Sequence, residues 1–504
     1  MGRELALLMA CGWRCFLVCC AAAVTAFAQD SKPAQTQPGA YTIGETRLGP
    51  LDAQMPSGVF SGDGRRFVYV TNKGRKSCVV VDGQAGAEYD RIAEGPIFSP
   101  DFKHVAYGAK TGQKWSVVVD GQAGAECEGI AKSTLIFSPD GKHVAFEAAK
   151  GQKRMAVIDG QAGAEYDGIG GLIFSPDSKC VAYGAAKGAK EFVVADGKEG
   201  AEYDGIGSLI FSPDSKRVAY GAAKGAKQLV VADGQEGAEY KLIFEGALIF
   251  SPDSKRLAYV AKKGAKLLVV VDGQEGAGYD SILKGSPMFS PDSKRVAYVA
   301  ERGGKRIVVV DGQESPEYDI SFRGSPVFSP DGKRVAYVAK KGAKWWVVVD
   351  GQASAEYDAV ADPVFSPDSK RVAYAVRAGQ NWSVLADGQA GAEYRKIVAG
   401  PIFSPDSKRL AYVVKKGETF SVVADGLAGA EYDGIGEGSL NFSPDSKHMA
   451  YAAKKGEKWL AVVDGRAGAE CDIIGPPIFD PDGGLEYLAI KEHALWRVGY
   501  IPVR

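Results

Sequence analysis

The sequence predicts an all-β fold, a β-propeller of twelve four-stranded blades, and three observations predict it. One phrase, FSPDSKRVAY or a close variant, recurs with its Phe at 60, 98, 137, 174, 211, 250, 289, 328, 365, 403, 442 and 479, so that twelve copies follow one another at intervals of 37 to 39 residues. Pro and Gly punctuate each copy about every dozen residues, which leaves no room for an amphipathic helix and excludes helical solenoids of similar period. Four short strands fit in each copy, which is the size of a propeller blade.

The copy from Val327 to Val360 shows each element in order. Strand a is the apolar stretch that ends at Phe328. Ser329-Pro330-Asp331-Gly332 follows, with Ser at the first and Pro at the second position of a type I turn. Strand b is Arg334 to Ala339, and Lys341-Gly342-Ala343 turns the chain. Strand c, Trp345 to Val349, is rich in β-branched and aromatic residues. Asp350-Gly351-Gln352 is the next turn, and strand d is expected at Ala355 to Val360.

Ahead of the repeats, residues 1–28 read as a signal peptide. Arg3 and Arg14 flank a first apolar patch, Cys15 to Ala26 is uncharged, and Ala26-Phe27-Ala28 offers small-x-small before Gln29. The uncharged run is short for a membrane span, which needs about 20 apolar residues. Residues 29–48 then form a polar, flexible leader, within which Gly39 to Gly44 imitates the AEYDGIG of strand d. The last copy stops after strand c, so this leader is a candidate closing strand.

Composition narrows the function. The 504 residues carry 61 Lys+Arg against 62 Asp+Glu, a net charge of -1, which provides no global hold on nucleic acid. Cys11, Cys15, Cys19 and Cys20 leave with the signal peptide. Cys78, Cys127, Cys180 and Cys471 are far apart and lack CxxC spacing, and they read as isolated thiols. Three of the four His residues, His104, His143 and His448, take the Arg position of SPDSKRVAY, and His493 stands alone. The carboxylates of DGQEGAEYD lack EF-hand spacing and read as turn chemistry. No catalytic residue, metal ligand or cofactor is assigned.

The [IV]F-SPD-[GS]-K-[RH]-[VL]-A-Y core followed by VVxDG is similar to the WD-like propeller repeat of TolB and of prolyl-oligopeptidase-type peptidases, over roughly residues 58 to 500. The resemblance implies the fold and little about function. No α/β domain is expected in the short segment before the first copy, and no GxSxG elbow accompanies the repeats. Twelve blades fit two six-bladed rings, residues 49–288 and 289–504, or one large ring closed by the leader strand.

Charge and aromatics supply the candidate site. The b–c turns are basic and the c–d segments acidic, so the molecule is expected to be electrically two-faced. The first residue of strand c is polar in five copies and is Trp115, Trp345, Trp382, Phe420 or Trp459 in five others. These aromatics, with Lys340, Lys341, Lys344, Lys454, Lys455 and Lys458 of the adjoining turns, form a candidate contact stripe. The expected product is a non-enzymatic scaffold, periplasmic or secreted, that binds an envelope or secreted protein. A polysaccharide or other anionic envelope polymer is the second ligand class, and a hydrolase or lyase working in the ring channel is the rival class.

Overall fold

The computed structural model describes residues 31–36, 41–50, 58–319 and 325–502. The expected signal peptide lies outside these residues. All regular structure among them is β, arranged as twelve antiparallel sheets, one per repeat. The chain divides into two compact units, one formed by the first 135 residues with those from 430 onward, the other by 136–429. Blades are numbered here by their repeats.

Blade eight shows why this sequence makes a blade. Val327–Phe328 pairs with Val335–Lys341, which pairs with Lys344–Val349, which pairs with Gln352–Ala353. The two central strands carry near-continuous apolar runs, VAYVA and WWVVV, because their side chains are covered on both faces of the sheet. Each fully buried Val or Leu contributes roughly 1.5–3 kcal/mol relative to exposure. The c–d hairpin closes on Asp350 (φ 52°) and Gly351 (φ 81°), two successive positive φ values that make a type I′ turn matched to strand twist.

The first turn is built by its side chains. Ser329 is fully buried and donates through Oγ to Asp331 Oδ1 at 2.6 Å while accepting from the Arg334 amide at 2.9 Å. The Asp331 amide then donates to Ser369 Oγ of blade nine at 2.9 Å, so one turn anchors the next.

Strand d differs from expectation. It runs from Gln352 to a bridge between Trp345 and Tyr357, and Ala359–Val360 pairs instead with Val372–Ala378 of blade nine. The crossover falls at Asp358, whose amide donates to the Arg377 carbonyl at 2.9 Å. Residues assigned to the end of one blade thus begin the next, because consecutive extended segments on the two sides of Asp358 read alike in sequence.

Blades adhere through repeated apolar contacts. In the unit of residues 136–429, Val260, Val269 and Tyr279 of blade six pack on Val296, Tyr298 and Ile307 of blade seven, so the core is continuous across residues 288–289. Strand-d and strand-b tyrosines of neighbouring blades meet edge-on, as in Tyr279 and Tyr298, with ring centroids 6.0 Å apart and planes at 74°.

In the other unit the two ends of the repeat array meet. Phe67, Tyr69 and Val80 of blade one share a cluster with Leu488, Ile490 and Leu495 of blade twelve. Tyr41–Pro50 pairs antiparallel with Ala494–Pro502 and supplies the fourth strand that the last repeat lacks, as the leader sequence predicts. Ser31–Thr36 pairs in turn with Tyr41–Pro50, so this part of the expected flexible leader is a strand.

Candidate binding surfaces

Two edges of each sheet carry chemistry. At the b–c edge, the predicted aromatics are all half-buried, and a cation from strand b lies over most of the rings. Lys340 Nζ sits 5.0 Å from the centre of Trp345, Lys415 Nζ 5.3 Å from Phe420, Lys110 Nζ 5.9 Å from Trp115, and the Arg377 guanidinium 6.0 Å from Trp382. The register explains this, since Lys340 lies directly opposite Trp345 and Arg377 opposite Trp382. The buried side of three of the rings meets the core: Trp345 packs on the cluster of Tyr318 and Tyr337, Trp382 on that of Tyr412, Trp459 on that of Tyr487.

The predicted lysines divide. Lys344 pairs with Asp358 at 2.8 Å, and Lys458 pairs with Asp472. Lys340 covers its ring, Lys454 is half-buried, and Lys341 and Lys455 are exposed. The expected opposition of a basic and an acidic face is therefore corrected. Strand d returns the chain to the b–c edge, so the acidic residue at its end pairs with a lysine of the basic turn in blades three, four, six, seven, eight and eleven. Asp358 also accepts from the Gly379 amide at 2.7 Å, and Lys344 with this amide holds its carboxyl below the ordinary range. The same carboxylate raises the Lys344 ammonium above its usual value.

The opposite edge carries an arrangement not anticipated from sequence. The Arg of the repeat phrase reaches from one blade to the next. Arg334 Nε donates to Asp350 Oδ2 at 2.9 Å, its Nη1 donates to the Lys370 carbonyl of blade nine at 2.8 Å, and the guanidinium lies 5.1 Å over Phe365. The second carboxylate oxygen of Asp350 accepts the Val335 amide at 2.9 Å. The signal was present in the joint recurrence of this Arg, the Asp of VVxDG and the Phe of FSPD, but their spatial meeting depends on how blades stack. His104, His143 and His448 replace the Arg, and their Nδ1 atoms meet the corresponding Asp carboxylates, which accept, at 2.6, 2.7 and 2.7 Å. His493 occupies a tight turn with Glu492, both at positive φ.

A cleft of about 610 Å³ opens between blades three and four, lined by His143, Asp159, Phe174, Ser178, Lys179 and Asp196 among others. Among the described residues no cluster of three or more His, Cys, Asp or Glu is placed to hold a metal, and no helix is long and apolar enough to cross a membrane.

Sheet order, crossover and repeat phrase together decide the fold. The twelve antiparallel sheets are the blades of a β-propeller fold. No family model matches the propeller's sequence, and no curated protein matches it. Solved structures similar to it include a eukaryotic initiation factor, 16% identical over 66% of this chain and 97% of that one with a TM-score of 0.35. TolB from Acinetobacter baumannii is 16% identical over 58% of this propeller and 78% of that chain, with a TM-score of 0.24. The propeller domain of the Trilobed protease from Pyrococcus furiosus is 14% identical over 57% and 94%, with a TM-score of 0.26.

Proposed function

We propose that this propeller is an exported, non-enzymatic scaffold that holds an envelope or secreted protein against its b–c edge. One observation carries the reading: in three consecutive blades of one unit, Trp345, Trp382 and Phe420 leave part of each ring uncovered beside a cation, at a position where other blades place Glu191, Gln228 or Arg306. A rigid aromatic held by core packing presents contact area at little entropic cost, and its flanking cation suits a partner with acidic or carbonyl groups. In blade eight the Lys344–Asp358 pair already offsets part of the charge of the turn beside Trp345, which favours a protein over an anionic polymer there.

The test is recovery of partners from envelope and secreted fractions by the immobilised chain lacking residues 1–28, compared with a Trp345→Leu/Trp382→Leu/Phe420→Leu variant that keeps apolar volume. A protease-sensitive partner recovered by the wild type and lost with the variant is the expected result. Equal recovery by both overturns the reading. A protease-resistant glycan as the recovered species replaces the protein partner with a polysaccharide. Export is checked by N-terminal sequencing of the released chain, expected to begin at Gln29.

A further inference from the structure

The chain contains a guanidinium socket that it fills itself with Arg in seven blades, while His takes the place in blades two, three and eleven and Cys in blade four. In the filled sockets up to four groups converge on the Arg: the carboxylate of its own c–d turn, one or two carbonyls of the next blade's first turn, and that blade's Phe ring. Arg217 bonds Asp233 at 2.7 Å, the Ser254 carbonyl at 3.0 Å and the Lys255 carbonyl at 3.2 Å, 5.0 Å over Phe250. Arg256 and Arg371 repeat the set with Asp272, Ser293, Lys294 and Phe289, and with Asp387, Ser407, Lys408 and Phe403.

Blades three and four carry His143 and Cys180 at this position. His143 reaches Asp159 at 2.7 Å but makes no hydrogen bond to the Ser178 or Lys179 carbonyls. The Asp196 carboxylate of blade four makes no hydrogen bond or ion pair among the described residues. The acceptors nevertheless stay where an Arg would need them, because the turns are locked independently of it. The Asp140 amide donates to Ser178 Oγ at 3.0 Å and the Asp177 amide to Ser215 Oγ at 2.8 Å, against 2.9 Å for Asp214 and Ser254 beside the filled socket of Arg217. The cleft of about 610 Å³ lies at this position and brings together the acceptors Asp159, Ser178 and Lys179, the ring of Phe174 and the carboxylate of Asp196.

We propose that the cleft between blades three and four binds the guanidinium group of another molecule. The Ser178 and Lys179 carbonyls and Asp159 accept its N–H groups, Phe174 takes its face, and His143 shares Asp159 with it. Planar, forked donor geometry is what this set of acceptors fits, so arginine is preferred over lysine.

Fluorescence anisotropy with a labelled Gly-Arg-Gly-Arg-Gly peptide tests this, using the Lys-for-Arg peptide and free L-arginine as competitors. Saturable binding of the arginine peptide, at least tenfold weaker binding of the lysine peptide, and at least tenfold loss in His143→Arg are expected. His143→Arg fills the socket from within, and an unchanged or raised melting temperature shows that lost binding is not unfolding. Asp159→Asn supplies a second variant, expected to weaken binding with His143 in place. Competition by L-arginine at the peptide's own concentration range identifies a free guanidino compound as the ligand class, and competition by peptide alone identifies a protein side chain. Equal binding of the two peptides, or undiminished binding by His143→Arg, overturns the proposal.

Discussion

Asp358 joins two blades: its carboxylate accepts the Gly379 amide of the following blade at 2.7 Å while Lys344 of its own blade holds the other oxygen. Asp204, Asp280 and Asp319 repeat the arrangement, and each carboxyl is held below its ordinary value of 3.8, by its Lys partner first and the Gly amide second. A depressed folded-state value means that the stabilisation is complete above the unfolded value and is lost as pH falls through the folded one. Thermal melting is therefore expected to hold steady from neutrality to about pH 5 and to fall steeply below 3.8. A midpoint unchanged at pH 3 would contradict the role given to these carboxylates.

The Arg clamp predicts an asymmetric mutational response. Arg371→His retains the pairing with Asp387 but loses the Ser407 and Lys408 carbonyls, and is expected to cost about 1–2 kcal/mol in urea unfolding. Asp387→Ala costs more, about 2–3 kcal/mol, because it also strands the Val372 amide that Asp387 Oδ1 satisfies. Equal costs for the two variants would show that the backbone bond contributes nothing.

Closure by the leader strand is testable by truncation. Lys491 pairs with Glu45 at 2.5 Å, with side chains only 17% and 18% exposed. Removing residues through Pro50 leaves that ammonium unpaired and bares the edge of Ala494–Pro502. Such an edge templates pairing with other chains. Size-exclusion chromatography of the truncated protein is expected to show concentration-dependent oligomers, and a clean monomer would argue against a closing role.

Thiol reactivity follows burial. Cys78 is 0% and Cys471 2% exposed, and burial pushes the Cys471 thiol up to about 12. Both are expected to react with a disulfide reagent at pH 8 only as fast as the protein unfolds, while half-buried Cys180 reacts first. Labelling of Cys471 ahead of Cys180, read by mass spectrometry, would place strand d of blade eleven outside the core.

Much of this architecture was legible because identical copies fix register: the SPD turn, the b–c hairpin and the missing last strand are all visible as spacing. The crossover at Asp358 was not, since Ala355 to Val360 has the same strand character on either side of it, and only partner choice separates the two halves. The charge balance failed for the same reason, because placing Glu356 and Asp358 on one edge requires knowing where strand d ends. The aromatics were identified as half-wet positions, but the cations over them depend on cross-strand register. The Arg clamp depends on contacts between copies 37 to 39 residues apart, which periodicity alone does not orient.

The locking of one first turn to the next, Asp331 amide to Ser369 hydroxyl, uses the same atoms as Asp140 to Ser178 five turns earlier in the series of blades. Unequal recombination between two copies of the coding segment therefore deletes or inserts a whole blade and still joins surfaces that already match. Copy number is then the variable along which this gene can drift, and individual blades are left free to specialise by losing an Arg or gaining a Trp.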